Sequence, residues 1–535
     1  MVGVITANVF STADNESYFP EQHTPLINRT GDCGICLSGG GTRSLAAAMG
    51  QLRGLHNLGL LSGTRYISSV SGGSWAAAIY GYYKSGATND SELLGQGPSS
   101  LERSTWTLKE WTDNLSPFNL AAPATKSFLS DFLKQPKKDN LTWINTVRDT
   151  FFSPFGLDLP NYFSLDHDSV SAILEANRDS QPEWNHDQFD ISNDERPYLI
   201  INAVILWPVN KKLFHHKNSH RIPIQFTPLY VGNTHHIELS NSPEQSNMNF
   251  GGGFISPYAL GSSGPNSSPG QNRVMPQPEN PFSLWHASGI SSAAFAYSVA
   301  SSALVDTQIA RFMPEINYWS IADAEHSENL SQEQIFADGG ALDNNGLMAL
   351  LQRKVKSIVV FINSEIPISK LDGKITIDSD IAPLFGVNNI ELPNNTVFEA
   401  SAYEDLLENL WETNKVNGGL CLHRQSYTTL KNNWFGTPSY AVEILWIYNS
   451  PVESWIQSLS KGMQKIVRDG VEGFGELSHF PNYKTIGQEF LHLVELTNAQ
   501  VSCIADMHAW SIEQNSAVFN AMLSHQSELS SPTND

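Results

Sequence analysis

Short apolar runs that end in glycine-rich breaks, each followed by hydrophobic residues at helical spacing, set the frame of this chain. Cys33 to Leu37 predicts a buried strand. From Ser44 to Leu61, residues Leu45, Met49, Leu52, Leu55 and Leu58 recur close to the helical period and predict a helix. Arg65 to Val70 predicts a second strand, and Gly72 to Lys84 a second helix rich in alanine and aromatics. This succession is the order of a parallel sheet covered by helices. Tyr198 to Trp207 is apolar almost throughout, the pattern of a central strand buried on both faces. Further strands are predicted at Ile222 to Val231, Ile335 to Ala337 and Ser357 to Ile362, with helices over Ser283 to Leu304 and Asn344 to Lys354. The expected fold class is α/β. A central, mostly parallel sheet is flanked by helices in a three-layer sandwich, with a large helical and loop insertion.

The periodicity also sets the expected organisation. Residues 1–30 are polar and expected to be irregular, and residues 31–524 form one domain. Within it, 85–190 reads as a cap-like, largely helical insertion. Its aromatics, among them Trp106, Trp111, Phe118, Phe128, Trp143, Phe151 and Phe152, fit either the cap's own core or the lining of a greasy site. Residues 240–282 are rich in Gly, Ser, Asn and Pro, and fit a lid-like loop or a surface excursion. Residues 525–535 read as a disordered tail.

Charge narrows the partners. The chain has 535 residues and a formal net charge of -22, with only 16% charged residues. So acidic a surface argues against nucleic acid, which selects basic patches. An anionic membrane would also repel it, so contact with lipid must rest on apolar and aromatic groups. No basic, apolar leader opens the chain, and no run approaches the about 20 apolar residues that span a bilayer. The expectation is a soluble, cytoplasmic protein that meets membranes peripherally. Cys33, Cys36, Cys421 and Cys503 do not form a disulfide framework, and the C-x-x-C pair reads as buried strand cysteines.

Three segments carry candidate chemistry. Ser69-Val70-Ser71-Gly72-Gly73 lies between a strand and a helix, the setting of a nucleophile elbow. Its tight turn needs small neighbours, and the helix N-terminus behind Ser71 favours developing negative charge. Gly39-Gly40-Gly41-Thr42-Arg43 also joins a strand to a helix. It lacks the G-K-[ST] ending of a Walker loop and the spacing of a dinucleotide fingerprint. Consecutive glycines can instead turn backbone N–H groups toward an oxyanion, and Arg43 suits a phosphate. Asp338-Gly339-Gly340 places a carboxylate at a strand end, on the same face as Ser71 if both strands run parallel. Asp343-Asn344-Asn345-Gly346 reads as turn and cap chemistry.

Together these segments resemble the patatin-like and cytosolic phospholipase A superfamily. Ser38-Gly39-Gly40-Gly41-Thr42-Arg43 matches its S-G-G-G-x-R loop, Ser71-Gly72-Gly73-Ser74-Trp75 its elbow, and Asp338-Gly339-Gly340 its D-G-G/A motif. Ala287 to Phe295 resembles a small-residue helix of large bacterial members. The matches cover residues 31–84 and 283–364. One departure is Ser69, where many members carry glycine. The resemblance implies a lipid acyl hydrolase acting on (lyso)phospholipid esters. Ser71 would be the nucleophile and Asp338 the base, with an oxyanion hole at Gly39, Gly40 and Gly41, and Arg43 on the substrate phosphate or the transition-state charge. It implies no cofactor and no metal. With nothing like a calcium-dependent lipid-binding module before residue 31, activity is expected to need no calcium. The implied partner is a membrane or micellar lipid. An activator protein is left open.

Two rival readings stand beside this one. A Ser-His-Asp esterase would take its histidine from those after Asp338, namely His423, His479, His492, His508 or His525. A catalytically inactive lipid-binding scaffold could keep the same fold. The pairs His215-His216 and His235-His236 make poor metal sites, because adjacent strand residues point to opposite faces.

Overall fold

The computed structural model describes residues 3–12, 18–83, 90–128, 131, 134–135, 139–193, 195–207, 220–239, 248–262, 264, 272–294, 313–321, 331–484 and 495–524. Among the described residues thirteen strands join into one sheet. In chain order they are β1 (Val4–Ser11), β2 (Cys33–Leu37), β3 (Tyr66–Ser69), β4 (Tyr198–Trp207), β5 (His220–Phe226), β6 (Val231–Asn233), β7 (Gly253–Ile255), β8 (Asn272–Pro276), β9 (Glu315–Tyr318), β10 (Gln332–Asp338), β11 (Ser357–Ile362), β12 (Leu422–Thr428) and β13 (Ala441–Tyr448). The main path runs β8-β1-β7-β6-β5-β4-β3-β2-β11-β13-β12.

The parallel part is the centre, β4-β3-β2-β11-β13. The flanks pair antiparallel, so the sheet as a whole is mixed. The central strands are apolar end to end because helices or loops cover both faces. Every residue of β2 and β3 is buried, and β4 is buried except at Asn202.

Helix α1 (Gly41–Asn57) follows β2, and α2 (Gly72–Tyr82) follows β3. A C-terminal helix, α4 (Asn498–Gln514), lies on α1 with almost no space between backbones. A Cβ added at Gly50 would fall 2.1 Å from the carbonyl oxygen of Ala505. The helix expected from Ser283 is observed as α3 (Leu284–Ser291), and residues 295–304 of that expectation lie outside the described residues.

Three expectations change. The N-terminal segment is not irregular where it is described: β1 pairs with β7 and β8 inside the sheet. A buried pair holds the segment that follows, with Arg353 Nε donating to Glu21 Oε1 at 2.7 Å and Tyr230 Oη to Glu21 Oε2 at 2.8 Å. In the lid-like region, residues 253–255 and 272–276 are strands β7 and β8 of the sheet, while 240–247 and 265–271 lie outside the described residues. The helix expected over Asn344–Lys354 is observed only as Met348–Gln352; a separate helical turn, Gly340–Asp343, precedes it, and Gly346 at φ 69° lies between the two.

The described part of the insertion at 85–190 is a set of short helices with one two-stranded ribbon, and most of its aromatics pack inward while Phe118 is exposed. Trp75 of α2 stacks on Phe151 at 4.0 Å between ring centroids, and Trp111, Phe128, Phe151 and Phe152 are buried. These side chains are core. The tail at 525–535 lies outside the described residues. Among the described residues no helix is long and apolar enough to cross a membrane.

Candidate active site

Ser71 sits between the buried end of β3 and the first turn of α2, at φ 53° and ψ −124°. A non-glycine residue held there stores of the order of 1–3 kcal/mol of strain, which the surroundings must impose. They do so by close approach. A Cβ at Gly72 would fall 2.1 Å from the carbonyl oxygen of Gly41, and one at Gly73 2.5 Å from that of Leu37. Ser69 is tolerated because its hydroxyl donates to the carbonyl of Ile200 at 3.2 Å.

Asp338 ends β10, and here the route differs from the sequence expectation. β10 runs antiparallel to β4, whereas β3 runs parallel to it. Ser69 lies opposite Ile201, and Asp338 opposite Ala203. The two strands therefore meet nearly end to end along one side of β4. Ser71 Oγ donates to Asp338 Oδ2 at 2.9 Å. The other carboxylate oxygen accepts the Gly340 N–H at 2.7 Å. Burial pushes the Asp338 pKa up to about 7, against the lowering effect of the Gly340 and Ser71 hydrogen bonds.

A second layer, unread in the sequence, fixes this pair. Ser291, the last residue of α3, accepts the Ser71 N–H at 3.0 Å and donates to the Asn202 carbonyl at 2.6 Å. Its own carbonyl accepts the Gly339 N–H at 3.3 Å. Asn202 Nδ2 in turn donates to Ser68 Oγ at 2.9 Å and to the Ser69 carbonyl at 3.1 Å. The available signal was Asn202 itself, a lone amide inside the apolar run Leu199 to Leu206.

The glycine loop reaches the same spot, with one correction to its expected donors. The Gly39 N–H is spent on the carbonyl of Asn344 at 3.0 Å, so it does not face a ligand. Gly40 and Gly41 take φ 138° and 52°, and Gly41 opens α1. Among the described residues their amides, and that of Gly72, meet no acceptor. Two helix N-termini, those of α1 and α2, thus lie side by side at Ser71, with positive ends and unpaired N–H groups together.

Arg43 is also placed otherwise than expected. It is only 4% exposed, with Nε donating to the Asn363 carbonyl at 2.7 Å and Nη1 to that of Tyr483 at 2.5 Å. Glu365 lies 3.5 Å away. Burial lowers its pKa to about 10, with Glu365 opposing, so it stays charged near neutral pH. Its Nη2 is 2.6 Å from where a Gly40 Cβ would be. The guanidinium underpins the loop from within rather than facing outward to a phosphate.

The described rival histidines make no bond to the pair. His508 Nε2 pairs with Asn449 Oδ1 at 3.3 Å, and His423 lies 3.6 Å from Asp405. No described histidine bonds to Ser71 or Asp338. His215, His216, His492 and His525 lie outside the described residues. No cluster of three metal-ligating side chains occurs among the described residues. Cys33 and Cys36 are buried free thiols whose pKa values are raised by burial.

No protein-family profile matches the chain, and no curated relative matches it. Among solved structures, human GIVD cytosolic phospholipase A2 is similar at 12% identity and a TM-score of 0.44, over 95% of this chain and 62% of that one. The same human protein bound to methyl gamma-linolenyl fluorophosphonate and terbium chloride is similar at 15% identity and a TM-score of 0.43, over 92% and 59% of the two chains. This chain thus spans about three fifths of the length of those structures.

Proposed function

We propose that this chain is a serine acyl hydrolase that cleaves fatty-acyl esters of lipids, (lyso)phospholipids among them, through Ser71 and Asp338 with no histidine between them. The observation that carries the reading is the 2.9 Å hydrogen bond from a serine at positive φ to a buried carboxylate. The motif resemblance supplies the lipid class. Arg43, being buried, supplies a positive field under the loop rather than a phosphate contact.

The geometry supports the following chemistry. Ser71 Oγ attacks the ester carbonyl and its proton passes to Asp338 Oδ2. The tetrahedral oxyanion forms beside the Gly40, Gly41 and Gly72 amides, where fixed donors stabilise charge without reorganising. Asp338 then gives its proton to the departing alkoxide, leaving an acyl-enzyme. Water, deprotonated by Asp338, attacks that ester; as the Oγ–acyl bond breaks, Asp338 returns the proton to Ser71 Oγ, and the fatty acid is freed. A carboxylate of ordinary pKa is a poor base for a hydroxyl. One raised to about 7 is closer to the task and still largely ionised just above neutral pH.

The expected setting is the cytoplasm, with peripheral contact to lipid through apolar groups, and no calcium requirement. The test is fatty-acid release from mixed phospholipid vesicles by wild type, Ser71→Ala and Asp338→Asn, with and without chelator. Release by wild type alone, indifferent to chelator, supports the reading. Release that survives Asp338→Asn replaces it with a histidine base. A folded wild type that releases nothing from any ester lipid favours the scaffold.

A further inference from the structure

We infer that Asn344, held by the side chain of Asp380, is a positioning residue that locks the glycine loop to the base-bearing segment, an inference that rests on the Ser71–Asp338 reading. The atoms of Asn344 meet both segments. Its carbonyl accepts the Gly39 N–H at 3.0 Å. Its Oδ1 fills the notch between two glycines, 2.1 Å from where a Gly39 Cβ would lie and 2.8 Å from where a Gly340 Cβ would lie. The same two virtual Cβ positions are 3.2 Å from Ser71 Cβ and 3.0 Å from Asp338 Oδ1. The Asn344 amide therefore sits within one side-chain thickness of both the nucleophile and the base, without bonding to either.

An amide can turn end for end, and only one end suits the notch. Asp380 sets which. Asn344 Nδ2 donates to Asp380 Oδ2 at 2.8 Å, so the NH2 faces the carboxylate and Oδ1 faces the glycines. Asp380 is itself fixed from behind, its N–H donating to Asp378 Oδ1 at 3.1 Å and its carbonyl accepting Asn345 Nδ2 at 3.4 Å. Neither Asn344 nor Asp380 belongs to the three motifs, and the two lie 36 residues apart in sequence. The charged groups facing Asp380 are Asp378 on its own segment, and Asp343 and Asp338 on the opposite one.

The division of labour makes the inference testable. An asparagine at 380 keeps a side-chain carbonyl to receive Asn344 Nδ2, whereas an alanine does not. The assay is the rate at which a fluorophosphonate labels Ser71, with kcat and KM on a soluble short-chain ester and the thermal midpoint alongside. Asn344→Ala and Asp380→Ala are expected to slow labelling and kcat by about tenfold to a hundredfold, the size of a sub-ångström misplacement, with KM nearly unchanged. Asp380→Asn is expected to stay within about threefold of wild type, since the bond survives. Wild-type labelling by Asn344→Ala overturns the inference. So does an equal fall in Asp380→Asn and Asp380→Ala, which would make the charge and not the bond the cause. If wild type neither labels nor hydrolyses, the reading of Ser71 fails instead. Amide exchange in the peptide 37–44 then still decides the bracing: faster exchange in Asn344→Ala upholds it, and equal exchange overturns it.

Discussion

Ser71 and Asp338 hydrogen-bond at 2.9 Å although they arrive on strands that run in opposite directions. β4 makes this possible. It is long enough to pair with β3 along its first half and with β10 along its second, so the two chain ends converge above its middle. The Asn202 carbonyl at that junction receives Ser291 Oγ instead of a strand partner. A carboxylate delivered in this way is buried from all sides, and its proton affinity follows.

The acid limb of the rate is the first consequence. In the proposed mechanism Asp338 must be ionised to take the Ser71 proton, and its pKa is raised to about 7 by burial. kcat/KM on a soluble ester should therefore rise with pH through a midpoint near 7 and level off above it. A plateau already reached at about pH 5 would mean that burial does not raise Asp338 above the ordinary carboxylate range in the working enzyme.

The same carboxylate should weaken the fold as it ionises. Its folded pKa lies above its unfolded value, so the native state binds the proton more tightly. Stability from this group is full below the unfolded pKa and is lost as pH rises through the folded one. Asp338→Asn lacks the titration. Its thermal midpoint should exceed that of wild type by a margin that grows from about pH 4 to pH 7 and is constant above. A margin that is flat with pH would show that Asp338 is no more basic in the fold than outside it.

Ser291→Ala tests the second layer. It leaves the Ser71 N–H without its acceptor and the Asn202 carbonyl without its donor. Two such losses in a buried setting should cost about 1–3 kcal/mol of stability. Activity should fall about tenfold or more, because the Ser71 backbone is what holds the strained turn. Guanidinium unfolding and kcat measured together would show both; a variant with wild-type kcat would mean that the turn is held by its glycines alone.

How much of this was legible beforehand depends on range. The boundaries of β2, β4 and β11 coincide with apolar runs that stand out in sequence, since a strand buried on both faces leaves no alternation to misread. The meeting of Ser71 with Asp338 followed from motifs. The strand direction that brings Asp338 there did not, because pairing partners of a short strand are set by long-range contacts. Gly40 and Gly41 were expected on the oxyanion with Gly39 beside them, and what keeps the Gly39 N–H out is the Asn344 carbonyl, which no local pattern announces. Arg43 looked like a ligand because an arginine beside a loop usually faces water. Here Asn363 and Tyr483, hundreds of positions away, claim its donors. The strand β1 was missed because Val4 to Ser11 is an alternating, half-polar segment whose partners lie beyond residue 250.

Two glycines of the same helix make the sharpest contrast. Gly72 opens α2 with its Cα against Gly41, where an added Cβ would be 2.1 Å from the Gly41 carbonyl oxygen and backbone would have to move. Gly81, nine positions on in α2, has nothing within 4 Å of an added Cβ. Gly72→Ala should push the glycine loop away from the elbow, destabilise by about 3 kcal/mol or more as overpacking against backbone does, and abolish labelling of Ser71 by a fluorophosphonate. Gly81→Ala should raise stability by about 0.5–1 kcal/mol, because alanine loses less backbone entropy in a helix, and leave labelling unchanged. If both substitutions are neutral, the backbone between Gly41 and Gly72 yields to a methyl group, and the two helix N-termini do not converge tightly enough to share one oxyanion. If only Gly72→Ala fails, that contact is what brings the donors of α1 and α2 to the same point.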